Sequence, residues 1–394
     1  QLWNISDDEV YDSLVIENRL IIADTALQPL LDRYSTSFGG SNINMIKRRV
    51  TVYTIDTGKI DIIKSRMGRH RELLSFEQAR QNRSLHELRN QFNQIVNLAI
   101  EYRRNKYNKL NVLIHTDIMA NNNIVTLTSN ENTSTLEDSI KRYNPILITV
   151  NSSSHSDISK RQNKASIRDI SNMVLSGDGL CDNICDFTCS IGLWVKNRQN
   201  IDYLVTAGHC IIDSDSGSIS TDFYHIPWST TQNTTQNTNF KFLGKSVFAS
   251  IEPYDFGLIQ VMGTDFKLAA NIIKNIGYSQ YPELFINRNL KVYNHGIHIC
   301  KVGFASHLSC GFIKGLNGIF ITKDGITSDM FITTLYSIGG DSGGPSFVFS
   351  AFSQDLRSVD LVGIHIGSNG INEAFALPID SILRSFDIHV VPVN

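Results

Sequence analysis

The pattern of hydrophobic residues changes character part-way along this 394-residue chain. Before about residue 150, some apolar residues recur at helical spacing and others form short runs, which predicts alternating helices and strands. Two capping boxes, Ser84 to Glu87 and Ser134 to Glu137, each predict the start of a helix. The first helix carries a stripe expected to face the core: Leu85, Leu88, Phe92, Val96 and Ala99. Strands are predicted at 112–114, 124–127 and 146–150, so this half is expected to be an α+β domain.

From about residue 185 onward, short apolar runs are separated by polar turns, a pattern typical of an all-β domain. Strands are predicted at 193–195, 203–205, 240–242, 258–261, 331–334 and 361–364, and a last helix at 381–386. Residues 151–166 are rich in Ser, Asn and Lys without any apolar period. We therefore predict a domain at 1–165 that ends in a linker, and a second domain at 166–394. The linker contains the dibasic pair Lys160-Arg161, and proteolytic processing is expected between residues 155 and 180.

Composition and charge limit the partners of this protein. Hydrophobic residues make up 41% of the chain, which is enough for sizeable cores. The formal net charge of −2 gives no electrostatic reason to expect a nucleic-acid or membrane partner. No apolar run approaches the length of a membrane-spanning helix.

The six cysteines all lie in the second half, at positions 181, 185, 189, 210, 300 and 310. The three-residue gaps among the first three do not fit the common zinc patterns, so disulfides are the better interpretation. An even number of cysteines in one half is typical of a secreted, disulfide-bonded domain. Glycosylation sequons at Asn4, Asn82, Asn132, Asn151 and Asn233 give mild support to secretion.

A glycine-rich turn, Gly339-Gly340-Asp341-Ser342-Gly343-Gly344-Pro345, carries the strongest chemical signal. It would expose the hydroxyl of Ser342 and let the N–H groups of Gly340 and Ser342 point at one oxyanion. A serine nucleophile needs a base and a carboxylate that orients the base. His209 follows a predicted strand in a Gly-His-Cys turn, and Asp255 precedes another. Asp265 is a less favourable alternative, because no apolar strand follows it.

The sequences Thr206-Ala207-Gly208-His209-Cys210 and Gly340-Asp341-Ser342-Gly343-Gly344-Pro345, and the order His, Asp, Ser, resemble the chymotrypsin-like serine proteases. The resemblance is closest to their α-lytic/streptogrisin branch. It implies two six-stranded antiparallel β-barrels, with His209 and Asp255 on the first and Ser342 on the second. It also implies disulfides Cys189–Cys210 and Cys300–Cys310, which leaves Cys181 with Cys185. Asp341 is expected to be structural and buried.

Residues 38–41 and 50–54 resemble the pro-region of the same branch, which acts as a folding assistant and inhibitor. A separate binding domain attached to a protease is the alternative. The resemblance as a whole predicts a secreted, monomeric serine endopeptidase made as a proprotein, with peptide substrates and its own pro-region as partners. It implies no cofactor and no metal. His295 and His298 could suggest a metal site, but no third ligand is evident, so they are expected to be surface or strand histidines. The rival hypothesis is an inactive homologue that binds a partner through the same groove.

Substrate preference is predicted from the stretch Gly363 to Ser368, which resembles a pocket strand of glutamyl endopeptidases and viral 3C-type proteases. There His365 would donate a hydrogen bond to an acidic or amide side chain. Gly367, Ser368 and Ser337 are the other candidate substrate-binding residues. Tyr336 replaces the aspartate of trypsin-like relatives, which disfavours cleavage after Lys or Arg. We predict a preference for Glu, then Gln or Asp, before the scissile bond; the alternative is that His365 only packs behind the pocket.

Overall fold

The computed structural model describes residues 3, 5–105, 110–129, 133–150, 173–182, 185, 188–212, 219–227, 240–275 and 280–391. The chain divides into two compact units. Unit 1 consists of Gln1–His155, Val292–His298 and Phe312–Thr334, and unit 2 of Ser156–Lys291, Ile299–Gly311 and Leu335–Asn394. The predicted linker, its dibasic pair and the sequons other than Asn82 lie outside the described residues, so the predicted boundary at 165 stays a prediction.

Unit 1 contains four α-helices and eight strands among its described residues. The helices are α1 (Val10–Arg33), α2 (Ile60–Met67), α3 (Leu85–Asn105) and α4 (Ser134–Ile140). The first six strands are β1 (Phe38–Asn44), β2 (Arg49–Thr54), β3 (Leu74–Gln78), β4 (Asn111–Asp117), β5 (Asn122–Thr128) and β6 (Ile146–Val150). Two later strands are β18 (His307–Ile321), which begins in unit 2, and β19 (Ile326–Thr333).

The strands of unit 1 form two groups. Strands β1, β2 and β3 make a three-stranded sheet, antiparallel between β1 and β2 and parallel between β2 and β3. Strand β5 pairs with β4 and β6, and β4 also pairs with the end of β18, which forms a hairpin with β19. Apolar faces of α3 and α4 cover β4 and β5, and Ile321 of β18 joins the same core. The α+β pattern predicted for this region is therefore present, although residues 312–334 contribute two strands to it.

The capping signals of unit 1 had different outcomes. The box at Ser84 is confirmed: Ser84 N–H and Oγ both donate to Glu87 Oε2, at 2.8 and 2.7 Å, and Glu87 N–H donates back to Ser84 Oγ. The second box is wrong by one residue. Helix α4 already includes Ser134, its N-cap is Thr133, and the Thr133 hydroxyl bonds the side chain of Glu137.

The longest helix, α1, is not among the predicted elements. It buries an apolar stripe at Leu20, Ala23, Leu27 and Leu31. Polar residues interrupt this stripe and bond to the segment 292–298. Glu17 bonds both the ring Nδ1 and the backbone N–H of His298, and Asn294 Nδ2 donates to Asp24 at 2.7 Å. The apolar stripe has helical spacing, so the signal for α1 was present in the sequence although the helix was not predicted.

Unit 2 is built almost entirely of strands. In chain order its described strands before the serine turn are β7 (Met173–Ser176), β8 (Gly179–Asp182), β9 (Thr188–Ser190), β10 (Leu193–Asn197), β11 (Asp202–Thr206), β12 (Asp222–Ile226), β13 (Lys241–Ser250), β14 (Phe256–Val261), β15 (Lys267–Lys274), β16 (Glu283–Asn289) and β17 (His298–Gly303). After the turn come β20 (Pro345–Phe349), β21 (Ser358–Ser368), β22 (Ala374–Pro378), α5 (Ile379–Phe386) and β23 (Ile388–Val390).

These strands fall into two sets. Eight of them form one sheet in the order β23-β10-β11-β14-β13-β12-β8-β9. In the second set β17 pairs with β20, β20 with β21, and β21 with both β16 and β22. The predicted short strands and the last helix are present, and the chain is β-rich with a helical N-terminal region. Closure into two six-stranded barrels stays a prediction. Across the described residues, no helix combines the length and apolar character needed to cross a membrane.

Candidate active site

Strand pairing brings His209 and Asp255 together. His209 lies in a single 3-10 turn, Gly208–Cys210, directly after β11, and Asp255 directly precedes β14. Strands β11 and β14 are paired, with Thr206 opposite Gly257, so the two loops meet. A side chain at Gly208 would lie 2.0 Å from the carbonyl oxygen of Ser250, so only glycine lets the turn approach this closely.

Asp255 binds His209 twice. One carboxylate oxygen lies 2.7 Å from the ring Nδ1, and the other accepts the His209 backbone N–H at 3.0 Å. Burial lowers the pKa of the imidazole, but the charge and hydrogen bond of Asp255 outweigh it, so the pKa of His209 is raised above its ordinary value. The ring therefore has a fixed orientation and a higher affinity for a proton. Asp265 is exposed, and no described contact joins it to His209. The expectation that no strand follows Asp265 is wrong, because β15 begins at Lys267, but this strand does not bring Asp265 to His209.

Ser342 lies on a turn that packs against the end of β11. Its carbonyl oxygen accepts the Ser190 N–H at 2.7 Å. The next residue, Gly343, has φ +92°, and a side chain there would come within 2.2 Å of Thr206 Oγ1. Among the described residues, the Ser342 hydroxyl makes no hydrogen bond, and neither Gly340 nor Ser342 donates its backbone N–H. The hydroxyl and both N–H groups are thus available to a substrate.

Asp341 holds this turn in place from its buried side, as the sequence predicts for a structural residue. It is fully buried, and its carboxylate bonds the equally buried Lys301. It also accepts hydrogen bonds from the Ser306 hydroxyl, the Ser337 hydroxyl and the backbone N–H groups of residues 305, 306 and 338. Burial raises the pKa of Asp341, but the charge of Lys301 and these hydrogen bonds outweigh it and hold the pKa below its usual value.

Sequence reasoning missed Lys301. The available signal was a lysine placed directly after Cys300 inside an apolar strand, between Ile299 and Val302. A charged side chain in such a position is buried only when it has a partner.

The predicted substrate strand runs beside the serine turn. His365 N–H donates to Gly344 O, and Gly343 N–H donates to His365 O, both at 2.7 Å. The His365 ring is 1% exposed and its Nε2 lies 2.6 Å from Ser337 Oγ. Gly367 and Ser368 follow on β21, and Ser368 Oγ donates to the Ser337 carbonyl at 3.5 Å. Tyr336 is exposed.

Three disulfides staple unit 2: Cys181–Cys185, Cys189–Cys210 and Cys300–Cys310. These are the pairs expected from the sequence. The second one ties the strand β9 to the turn that carries His209. The two sulfur atoms near His209 belong to this disulfide. Neither cysteine is therefore a free thiolate, which is the form that binds a metal. His298 is a buried strand histidine bonded to Glu17, and burial lowers the pKa of His295 to about 4.

Comparison with known proteins finds similarity at the level of solved structures. No family model matches the sequence, and no curated protein matches it. The chain is similar to chymotrypsin-like serine proteases. Thermobifida fusca Protease A is 18% identical, with 56% of this chain and 100% of that chain covered and a TM-score of 0.42. For Cellulomonas bogoriensis chymotrypsin the identity is 18%, the coverages are 56% and 100%, and the TM-score is 0.40.

A third similar structure is a serine protease described as specific for glutamic acid and as using a histidine triad in substrate binding. It is 24% identical, 55% of this chain and 100% of that chain are covered, and the TM-score is 0.43. Because these three identities are below 25% and these three TM-scores below 0.5, the function is inferred from the geometry of the site.

Proposed function

We propose that this protein is a serine endopeptidase that hydrolyses peptide bonds through an acyl-enzyme. One observation carries the proposal: the Asp255 carboxylate holds His209 by its ring and its backbone, at 2.7 and 3.0 Å. Glu17 holds the structural His298 by the same two kinds of bond, but the side chain of His298 is 3% exposed, whereas that of His209 is 31% exposed. A general base needs this combination of a fixed tautomer and a second ring nitrogen that a substrate can reach. The adjoining turn presents an unpaired hydroxyl at Ser342, which is the group that such a base would activate.

Each residue then has a definite role. Ser342 Oγ attacks the peptide carbonyl while His209 Nε2 takes its proton, and Asp255 stabilises the imidazolium that results. The N–H groups of Gly340 and Ser342 bind the oxyanion of the tetrahedral intermediate. When the C–N bond breaks, His209 passes the proton to the leaving amine and the acyl-enzyme remains. Water, deprotonated by His209, then attacks the ester and regenerates the Ser342 hydroxyl.

Labelling with a serine-directed organophosphate tests the proposal. The active protein should be labelled at Ser342, and Ser342→Ala should abolish both the label and peptide hydrolysis. Ser306→Ala is a matched control, because it removes a nearby hydroxyl that bonds Asp341 and leaves the proposed nucleophile in place. Failure of Ser342 to react in folded protein would favour the rival hypothesis of an inactive homologue that binds a partner.

We also propose that the enzyme is secreted as a monomeric proprotein whose N-terminal domain assists its folding. The non-local pairing of the strands in unit 2 supports this, since such topologies fold slowly. N-terminal sequencing of the secreted enzyme should find a start between residues 155 and 180. Residues 170–394 should refold poorly alone and better when residues 1–150 are added as a separate chain. Equal yields in both arms would rule out a folding role.

For substrate preference we propose an acidic or amide side chain, Glu, Gln or Asp, before the scissile bond. The support is the position of His365 directly beside the serine turn: its N–H donates to the Gly344 carbonyl and its carbonyl accepts the Gly343 N–H. A peptide-library cleavage profile tests this directly. The profile should change in His365→Ala; an unchanged profile would assign His365 to a purely structural role.

A further inference from the structure

One buried serine is bonded to the serine turn by both its side chain and its main chain. Ser190, the last residue of β9, is fully buried. Its hydroxyl donates to the Gly340 carbonyl at 2.7 Å, and its N–H donates to the Ser342 carbonyl, also at 2.7 Å. Ser190 therefore holds the main chain at both residues whose N–H groups are proposed to bind the oxyanion.

The partners of the Ser190 hydroxyl decide the direction of its proton. The hydroxyl oxygen accepts the Phe304 N–H at 2.8 Å, and a backbone N–H can only donate. The Gly340 carbonyl can only accept, so the hydroxyl proton points at Gly340. A donor on one side and an acceptor on the other thus fix the orientation of the hydroxyl, and it satisfies both groups at once.

The bond to Gly340 acts where the backbone restrains itself least. Gly340 has φ +100°, a conformation that glycine adopts readily and other residues do not, so its flanking peptide groups have unusual freedom to turn. Each peptide group is planar, and a carbonyl that is held fixes its whole plane. The hydroxyl of Ser190 holds the plane after Gly340, and its N–H holds the plane after Ser342. Ser190 thus limits the directions in which the two oxyanion-binding N–H groups can point.

The same residue is joined to the part of the chain that carries the base. The Ser190 carbonyl accepts the Thr206 hydroxyl at 3.0 Å, at the end of the strand that leads to His209. The preceding residue, Cys189, forms the disulfide with Cys210, directly after His209. Ser190 therefore connects the serine turn to the turn that carries the general base.

We infer that Ser190 is a positioning residue that aligns the N–H groups of Gly340 and Ser342 with the base His209. This inference rests on the proposed function and deepens it, because Ser190 is outside the triad. The oxyanion forms only after the nucleophile has attacked, so a misaligned N–H group weakens binding of the transition state more than binding of the substrate. Ser190 therefore acts on kcat and leaves KM largely unaffected.

The first test is Ser190→Ala in the full-length protein, which removes the hydroxyl and keeps the main chain. Loss of a whole oxyanion donor typically lowers kcat by about 10²–10³-fold, and a misplaced donor costs less. For a peptide anilide we expect kcat to fall about 10–100-fold, with KM within about twofold of its original value. Organophosphate labelling counts the active sites, so that kcat is given per reactive Ser342.

Ser246→Ala is the matched control. The Ser246 hydroxyl donates to the Ser220 carbonyl at 2.7 Å, which is the same kind of bond in strand β13 of the same unit. Its loss should leave kcat unchanged, whatever it does to the melting temperature. Ser190→Thr and Ser190→Val form a second pair of similar shape, in which only threonine keeps the hydroxyl. The threonine variant should have the higher kcat of the two, and this pair replaces Ser190→Ala if that variant does not fold.

A peptidyl trifluoromethyl ketone separates positioning from a general structural role. Ser342 Oγ bonds to the ketone carbon and its proton passes to His209, which leaves a hemiketal oxyanion at the site proposed for the tetrahedral intermediate. Hydrogen-bond donors aimed at this oxygen lower the pKa of the hemiketal. In ¹⁹F NMR titrations, this pKa should therefore be higher in Ser190→Ala than in Ser246→Ala. A loss of stability alone would not move it.

Equal kcat in Ser190→Ala and Ser246→Ala, or an equal pKa of the hemiketal, would overturn the inference and leave the endopeptidase assignment intact. A raised KM with unchanged kcat would overturn it as well, and so would equal kcat in Ser190→Thr and Ser190→Val. Absence of labelling at Ser342 in folded protein would instead refute the proposed function on which the inference rests.

Discussion

Replacing Lys301 by methionine tests how the serine turn is held. Methionine keeps much of the apolar stem but removes the positive charge from a site where Lys301 and Asp341 are both fully buried. Removing one partner of a buried ion pair costs about 3–5 kcal/mol, because the other charge is left uncompensated. Five neutral hydrogen-bond donors to Asp341 remain, so we expect a loss of stability at the lower end of this range, about 3 kcal/mol.

The assay is urea unfolding of the full-length Ser342→Ala protein, which cannot digest itself if the proposed function is right. Tryptophan fluorescence is read in a Trp3→Phe, Trp228→Phe background, so that only Trp194, which is 1% exposed and lies in unit 2, is observed. For a unit of this size, a loss of about 3 kcal/mol corresponds to a fall in Tm of about 6–12 °C. Lys245→Met is the matched control: its ion pair with Asp222 is on the surface, with Lys245 52% exposed, and should be worth about 0–1 kcal/mol.

A double-mutant cycle gives the sharper result. Lys301→Met combined with Asp341→Asn removes both charges, so the double variant should be more stable than the sum of the single losses predicts, by at least about 2 kcal/mol. Additive losses, or a Lys301→Met variant no less stable than Lys245→Met, would refute the view that this charge pair holds the turn.

Further predictions concern the other parts of the site. Asp255→Asn should lower kcat by about 10⁴-fold through loss of the correct His209 tautomer, whereas Asp265→Asn should leave kcat within about twofold. As the pH decreases, His209 becomes protonated and kcat/KM for a neutral peptide should fall. Because the pKa of His209 is raised, the midpoint of this fall should lie above pH 6.5. Gly343→Ala should abolish activity in a chromogenic-peptide assay, because the added side chain would clash with Thr206 and the φ of Gly343 is +92°. Gly339→Ala should be tolerated in the same assay and in a melting curve, because no atom lies within 4 Å of the added side chain. Because the pKa of Asp341 is lowered from 3.8 in the folded protein, the stability that its charge contributes should be complete above pH 4 and lost as the pH falls further. Acid unfolding curves of the protein and of Asp341→Asn measure this loss.

The sequence by itself determined the chemistry-bearing motifs and most of the local structure around them. His209, Asp255 and Ser342 stand in short stretches whose glycines and flanking apolar runs are local signals. The Ser84 capping box and the α3 stripe are likewise contained within a few residues, so they could be predicted without knowing the fold. The cysteine pairs also came from the sequence, through the family resemblance and elimination.

Only the tertiary structure decided the matters that depend on residues far apart in the chain. The contact of Asp255 with His209 depends on the pairing of β11 with β14, and the partner of Asp341 is Lys301, 40 residues away. Residues 292–298 and 312–334 belong to unit 1 because Glu17, Asp24 and β4 bond them there. Likewise, the hydrogen bonds that join Ser337 to His365 and to Asp341 form only after folding. Local periodicity shows which side of an element is buried, but not which distant group packs against that side, and the pairing of strands and buried charges depends on that group.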